Sequence, residues 1–297
     1  MSYNTVQEGR RSANAGAGLP AELPSVKGVA YYSSMERGRA ISYAHCPEKT
    51  HMPVKPVEVR IRDARPIRDQ LSLDVQGFVL VDHKSAYSDL RDKEALYKPY
   101  HEELRDVVLK ATGADFLVPY RSGLCVRLSA KAPVESRREE ISALSLPAWF
   151  AHMDLSQRSF FHYIDWVFEW ENLQPRKFSR AALIHTWRAV SAPPQDTPLM
   201  LTDGRSPIPG NYTVMDNIIG DEDRTGNVVE TRVSKYSPSD SWHYFSNMRK
   251  DELIVFKGND SQTGELQNVL HTAFDNSKVP NVVPRESIEA RLIAFWE

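Results

Sequence analysis

The chain has 297 residues, of which 41% are hydrophobic and 26% charged, enough for a sizeable core in one large domain or two small ones. Its formal net charge of −2 argues against nucleic acid or an anionic membrane surface as partner, because both need clustered positive charge. Two cysteines, Cys46 and Cys125, make no disulfide framework and no zinc pattern, so they read as free thiols of a reducing cytoplasm, and no apolar run is long enough to cross a bilayer.

Residues 1–27 are polar and read as a flexible tail, with a single domain over 28–297. Arg10-Arg11 is not followed by an apolar stretch, so no secretory signal is expected. The run 57–62 alternates apolar and charged residues, which predicts a half-buried strand, and 77–81 predicts a more fully buried one. The arginines of 60–68 are mixed with Asp63 and Asp69, which predicts a salt-bridged surface and not a phosphate patch. Leu96, Tyr100, Leu104, Val107, Val108 and Ala111 fall at helical spacing over 93–112, and Gly113 stands where a C-terminal cap belongs.

A strand is expected at 114–118 and a loop or short helix around 137–140. A short strand at 149–154 should lead into a helix over 157–171. Strands follow at 182–190, 198–202, 212–219, 228–236, 252–256, 266–274 and 285–295, broken by turn residues such as Pro193-Pro194 and Gly258-Asn259-Asp260. The pattern is mainly β with flanking helices, a sandwich or cupin-like jelly roll, with the helices expected on one outer face.

His152-Met153-Asp154 is an HxD. Side chains two apart on a strand share a face, so one imidazole and one carboxylate can reach a single ion. A second imidazole from a later strand would complete two histidines and a carboxylate with three positions open, the arrangement of non-haem iron(II) oxygenases. The motif alone is weak, since nine histidines would give about half an HxD by chance. The plainer alternative has Asp154 capping the helix that follows.

His162, His185, His243 and His271 are the candidates for the distal ligand, and His271 is preferred because Arg285-Glu286-Ser287 follows it. A guanidinium and a hydroxyl two residues apart suit the distal carboxylate of a dicarboxylate, with Arg285 giving two parallel hydrogen bonds and Ser287 a third. The turn-rich stretch 275–284 suggests that 271 and 285 lie on adjacent antiparallel strands. A surface pair of Arg285 with Glu286 or Glu289 is the alternative.

With these residues in view, the chain resembles the fungal and bacterial hydroxylase/desaturase family of secondary metabolism. That family includes an aspergillic-acid-type hydroxylase, a gibberellin desaturase and proteins related to cephalosporin 7α-methoxylase. The resemblance is carried, in order, by 77–81, Ala151-His152-Met153-Asp154, Thr186-Trp187-Arg188, Trp242-His243-Tyr244-Phe245, 251–257, Asp260-Ser261, His271-Thr272-Ala273-Phe274 and 284–291. It implies a double-stranded β-helix, with Fe(II) and the co-substrates 2-oxoglutarate and dioxygen. It also implies His152, Asp154 and His271 as ligands, Arg285 as the 2-oxoglutarate anchor, and hydroxylation or desaturation of a small natural product or amino-acid-derived substrate.

The chain departs from the family at Val118-Pro119-Tyr120-Arg121, where many relatives have a Phe-Asp-His-like segment, and at Ala189, where relatives usually have Pro. Arg188 is expected to face the pocket, and Tyr120, Arg121 and Arg127 are further substrate-binding candidates. Arg291, six residues beyond Arg285, is either a second carboxylate contact or a partner of Glu289. No catalytic side chain is expected beyond the metal ligands. Two alternatives stay open: a cupin-type metal enzyme that does not use 2-oxoglutarate, and a non-catalytic small-molecule binding jelly roll. Homodimerisation is left open.

Overall fold

The computed structural model describes residues 22–43, 46–87, 93–120, 124–132, 146–218 and 228–297. Its strands form two sheets. The larger runs in the order β1 (Ser25–Ser33), β3 (Val54–Asp63), β12 (Trp242–Tyr244), β9 (Leu199–Thr202), β14 (His271–Ala273), β7 (His152–Met153), β11 (Val228–Ser234), β10 (Tyr212–Ile218) and β2 (Ala40–Tyr43). The smaller runs β4 (Phe78–Asp82), β13 (Glu252–Asp260), β8 (Arg180–Ala189), β15 (Glu286–Trp296) and β5 (Phe116–Pro119), with β6 (Cys125–Leu128) also paired to β15.

The central strands of the smaller sheet are buried on both faces, so they read as continuous apolar runs. On β15, Ile288, Ala290, Leu292 and Ala294 join Ala182 and Ile184 of β8 beneath the helix α1 (Lys93–Thr112). Ile293 and Phe295 instead join Ala181 and Leu183 against the helix α2 (Gln157–Trp170). The two helices therefore bury opposite faces of this sheet, and the expectation of one outer face holds for α1 alone. Between the sheets lie Phe78, Leu80, Trp187, Leu199, Leu201, Ile254 and Phe256.

The helix α1 spans 93–112 as its spacing predicted. Leu96, Tyr100, Leu104 and Val108 are its buried stripe. Each such side chain contributes about 1.5–3 kcal/mol on burial. The helix ends where Gly113 takes φ +66° and donates its N–H to the Leu109 carbonyl at 2.8 Å. Nothing lies within 4 Å of a Cβ built there, so the left-handed backbone alone calls for glycine.

Several boundaries differ from expectation. β1 begins at Ser25 and Leu23 is buried, so the limit drawn at residue 27 falls inside an ordered strand. β1 pairs along its whole length with β3, from Ser25 opposite Arg62 to Ser33 opposite Val54, a non-local partnership that local polarity hides. The strand expected over 266–274 is only His271–Ala273, because Asn268 turns its side chain onto the Glu265 carbonyl. β2 and β6 were not foreseen. The stretch 137–140 lies outside the described residues.

The arginine-rich segment is a salt-bridged surface as expected: Arg65 forks onto Glu252 at 2.6 and 3.0 Å, and Arg68 meets Asp82 at 2.9 Å. Both cysteines are free thiols. Among the described residues, no helix is long and apolar enough to cross a membrane.

Candidate metal centre

His152 and His271 are directly opposed partners on the neighbouring antiparallel strands β7 and β14. Opposed residues share a face, and the two rings lie 4.3 Å apart between centroids. The chain bends after β7 and brings Asp154 beside them. Its Oδ1 is 3.4 Å from His152 Nε2 and 3.7 Å from His271 Nε2. One donor atom from each residue lies within 4.8 Å of the others, so the three can hold a single ion.

Asp154 does not cap α2. That role belongs to Ser156, whose hydroxyl accepts the Ser159 N–H at 3.1 Å. The carboxylate is left to turn inward.

His152 Nδ1–H is directed at the Phe150 carbonyl at 2.8 Å, which leaves the Nε2 lone pair facing Asp154. Burial, and then the neighbouring His271, push the His152 pKa down, so the ring is neutral and able to ligate. Burial opposes ionisation of Asp154, but the charge of Arg291 favours it, and the carboxyl is held well below its usual range.

The facing sheet supplies further polar groups, of which the sequence had pointed to Arg291 and its partner Glu289. Arg291 Nε lies 2.7 Å from Asp154 Oδ2, and its Nη2 lies 2.9 Å from Glu289 Oε1. His185 Nδ1 is 3.1 Å from Glu289 Oε1 and 3.5 Å from Asp154 Oδ2. His185, one of the histidines considered for the distal ligand, is fully buried and stacked on Phe256 at 4.4 Å. The available signal was period two along β15, which puts Ser287, Glu289 and Arg291 on one face. Of the two roles considered for Arg291, the structure shows the partner of Glu289.

Arg285 enters from the smaller sheet, just before β15. The expectation that 271 and 285 occupy adjacent strands fails: β14 and β15 belong to different sheets, which face each other across the interior. Arg285 is 2% exposed. It donates Nη1–H to the Thr197 carbonyl at 2.8 Å, and its guanidinium lies 5.6 Å from the Trp187 ring centre. Its buried Nε has no hydrogen-bond partner, and it makes no ion pair with a carboxylate among the described residues. Burial, and then the charge of Arg127, push its pKa down to about 9. A buried cation with an unspent donor fits a carboxylate that comes with a ligand.

Ser287 is buried on the same strand, with its hydroxyl 3.4 Å from the Arg127 carbonyl. Arg127 is registered opposite Ser287, so it shares the interior face, and its Nη1 donates to the Leu146 carbonyl at 2.8 Å. Tyr120 is buried edge-on to Tyr163 at 4.8 Å and gives its backbone N–H to the Arg291 carbonyl. Arg121 lies outside the described residues.

Arg188 is a correction. It projects with Ala182 and Ile184 to the outer face of β8, beneath α1 and away from the metal centre. There it donates to the His83 and Lys250 carbonyls at 2.6 and 2.7 Å and to the Tyr100 hydroxyl at 3.3 Å. The inward position is its neighbour Trp187, since adjacent strand residues take opposite faces.

Two facing sheets with two histidines and a carboxylate converging between them define a jelly roll built for a mononuclear metal. The chain belongs to the family described as Oxidoreductase/YMDC permease-like domain, whose sequence model matches residues 29–295. The hydroxylase/desaturase efuI of Hormonema carpetanum is 27% identical over 263 residues, covering 84% of this chain and 86% of that protein. The Fe(II)/2-oxoglutarate-dependent dioxygenase nvfI of Aspergillus novofumigatus is 26% identical over 249 residues, covering 81% and 84%. A solved structure of the iron and alpha-ketoglutarate-dependent endoperoxidase NvfI has a TM-score of 0.75 at 21% identity, covering 93% of this chain and 99% of that one, which shows the shared fold.

Proposed function

We propose that this chain is an Fe(II)- and 2-oxoglutarate-dependent oxygenase of the hydroxylase/desaturase kind acting on a small natural product or amino-acid-derived molecule, with His152, Asp154 and His271 as the metal ligands. The observation that carries the reading is the convergence of two imidazole Nε2 atoms on one carboxylate oxygen, at 3.4 and 3.7 Å, opposite a buried guanidinium that forms no ion pair with a carboxylate among the described residues. The relatives' names, hydroxylase/desaturase and Fe(II)/2-oxoglutarate-dependent dioxygenase, agree with it.

When bound, iron(II) with 2-oxoglutarate and dioxygen supplies an oxidant able to take hydrogen from an unactivated C–H bond. The protein's own residues do the rest. His152 offers a neutral nitrogen whose tautomer the Phe150 carbonyl fixes. Asp154 offers a negative oxygen. Arg285 binds the distal carboxylate of 2-oxoglutarate, with Ser287 beside it, and so sets the depth of the keto acid. Phe256, Trp187 and Leu201 wall the interior with apolar surface and exclude water. Arg127 and Tyr120 would contact the substrate.

A jelly roll that binds metal but no dicarboxylate would leave Arg285 buried without an anion, which is costly. The test is anaerobic. Apoprotein reconstituted with Fe(II) and then 2-oxoglutarate gives the visible charge-transfer band of a chelated keto acid, and His152→Ala or Asp154→Ala abolishes it. A band of wild-type strength in either variant refutes the ligand set.

A further inference from the structure

We propose that Arg291 is a positioning residue that holds Asp154 as a one-oxygen metal ligand; the proposal rests on the ligand set given above. The two carboxylate oxygens of Asp154 have different neighbours. Oδ1 faces Nε2 of both His152 and His271. Oδ2 is turned to the opposite sheet, in an ion pair with Arg291 Nε at 2.7 Å that lacks hydrogen-bond alignment, and 3.5 Å from His185 Nδ1.

Arg291 is itself held. Its Nη2 lies 2.9 Å from Glu289 Oε1, and the same oxygen takes His185 Nδ1 at 3.1 Å. Its Nη1 lies 3.6 Å from Cys125 Sγ. Arg291 and His185 are registered partners on the central strands β15 and β8. His185 is clamped between the Phe256 ring and Gly258, where an added Cβ would come within 2.7 Å of Nε2. The brace is therefore built on two paired strands buried on both faces.

The chemical consequence concerns open positions. A carboxylate with both oxygens free can chelate and take a second place on the metal. Two histidines and a one-oxygen aspartate leave three places, two for the keto acid and one for dioxygen. A guanidinium on Oδ2 blocks chelation and aims Oδ1. Its planar fork spans Asp154 and Glu289 at once, which a lysine ammonium, a point charge on a flexible stem, does not reproduce.

The test uses Co(II) as probe, titrated into metal-free wild type and Arg291→Lys, with circular dichroism confirming the fold. The lysine variant is expected to bind Co(II) about 10–100-fold more weakly, with an altered visible ligand-field spectrum from chelation by Asp154. Should Arg291→Lys fail to fold, the Arg291→Gln/Glu289→Gln pair removes one charge of each sign and reads the same question, with the same expected result. Wild-type affinity overturns the proposal. So does weaker binding with an unaltered spectrum, which is what a merely structural residue would give. His152→Ala is the reference. A Co(II) spectrum that survives it refutes the ligand set itself, whereas one that depends on His152 but ignores Arg291 refutes only the brace.

Discussion

Replacing Arg285 by glutamine should separate binding from stability, because among the described residues its guanidinium pairs with no carboxylate and donates to the Thr197 carbonyl alone. A guanidinium fork makes two charge-assisted bonds to a carboxylate, each contributing about 1.5–3 kcal/mol. A glutamine amide offers one weaker bond of about 0.5–1.5 kcal/mol, so about 2–5 kcal/mol of affinity is lost. That corresponds to a dissociation constant for 2-oxoglutarate about 30–5000-fold higher.

The metal-free fold should respond in the other direction. Arg285 is buried, its pKa is pushed down to about 9 by burial first and Arg127 second, and its Nε is unpartnered. Removing such a charge is neutral to stabilising, by up to about 4 kcal/mol, while the glutamine amide can still donate to the Thr197 carbonyl. The charge-transfer band reports 2-oxoglutarate binding anaerobically, and thermal unfolding reports stability. Added 2-oxoglutarate should raise the Tm of wild type and leave that of the variant unchanged. A variant that binds the keto acid within threefold of wild type refutes the argument, and so does an apoprotein whose Tm falls by more than about 5 °C.

Three other outcomes follow from the same geometry. Arg188→Met takes the donor from the His83 and Lys250 carbonyls and from the buried Tyr100 hydroxyl, so it should cost about 2–5 kcal/mol in urea unfolding while the folded protein keeps its 2-oxoglutarate affinity; a specific loss of that affinity would return Arg188 to the pocket. Leu104 is fully buried on the inner stripe of α1, and Leu104→Ala should cost about 2–5 kcal/mol without touching the Co(II) spectrum. Burial raises the Asp240 carboxyl to about 6, against the bonds from Tyr32 and the Ser237 backbone. Its folded pKa lies above its unfolded one, so the fold loses stability as pH climbs from about 4 to about 6 and stays penalised above that. Asp240→Asn should therefore raise Tm at pH 7.5 and change it little at pH 4; an equal shift at both would refute the assignment.

The sequence by itself determined whatever rests on local periodicity or on spacing within one strand. The stripe from Leu96 to Val108 wrote the helix α1, and the run of short strands after residue 180 wrote the β-rich class. His152 and Asp154, two apart, marked the candidate ligands, although a bend beyond β7, and not strand alternation, brings the carboxylate beside the imidazole. Arg285, Ser287 and Arg291 likewise fixed one face of a strand whose partner was unknown. Only the tertiary structure decided which surface each face meets. It put His271 directly across from His152 and moved Arg285 to the opposite sheet. It turned Arg188 outward while Trp187 faced in, and it made His185 and Glu289 part of the centre. The physical reason is that a strand fixes the alternation of its side chains, but pairing with distant strands fixes which side is the interior. That pairing, between residues more than a hundred positions apart in the case of His152 and His271, leaves no local trace.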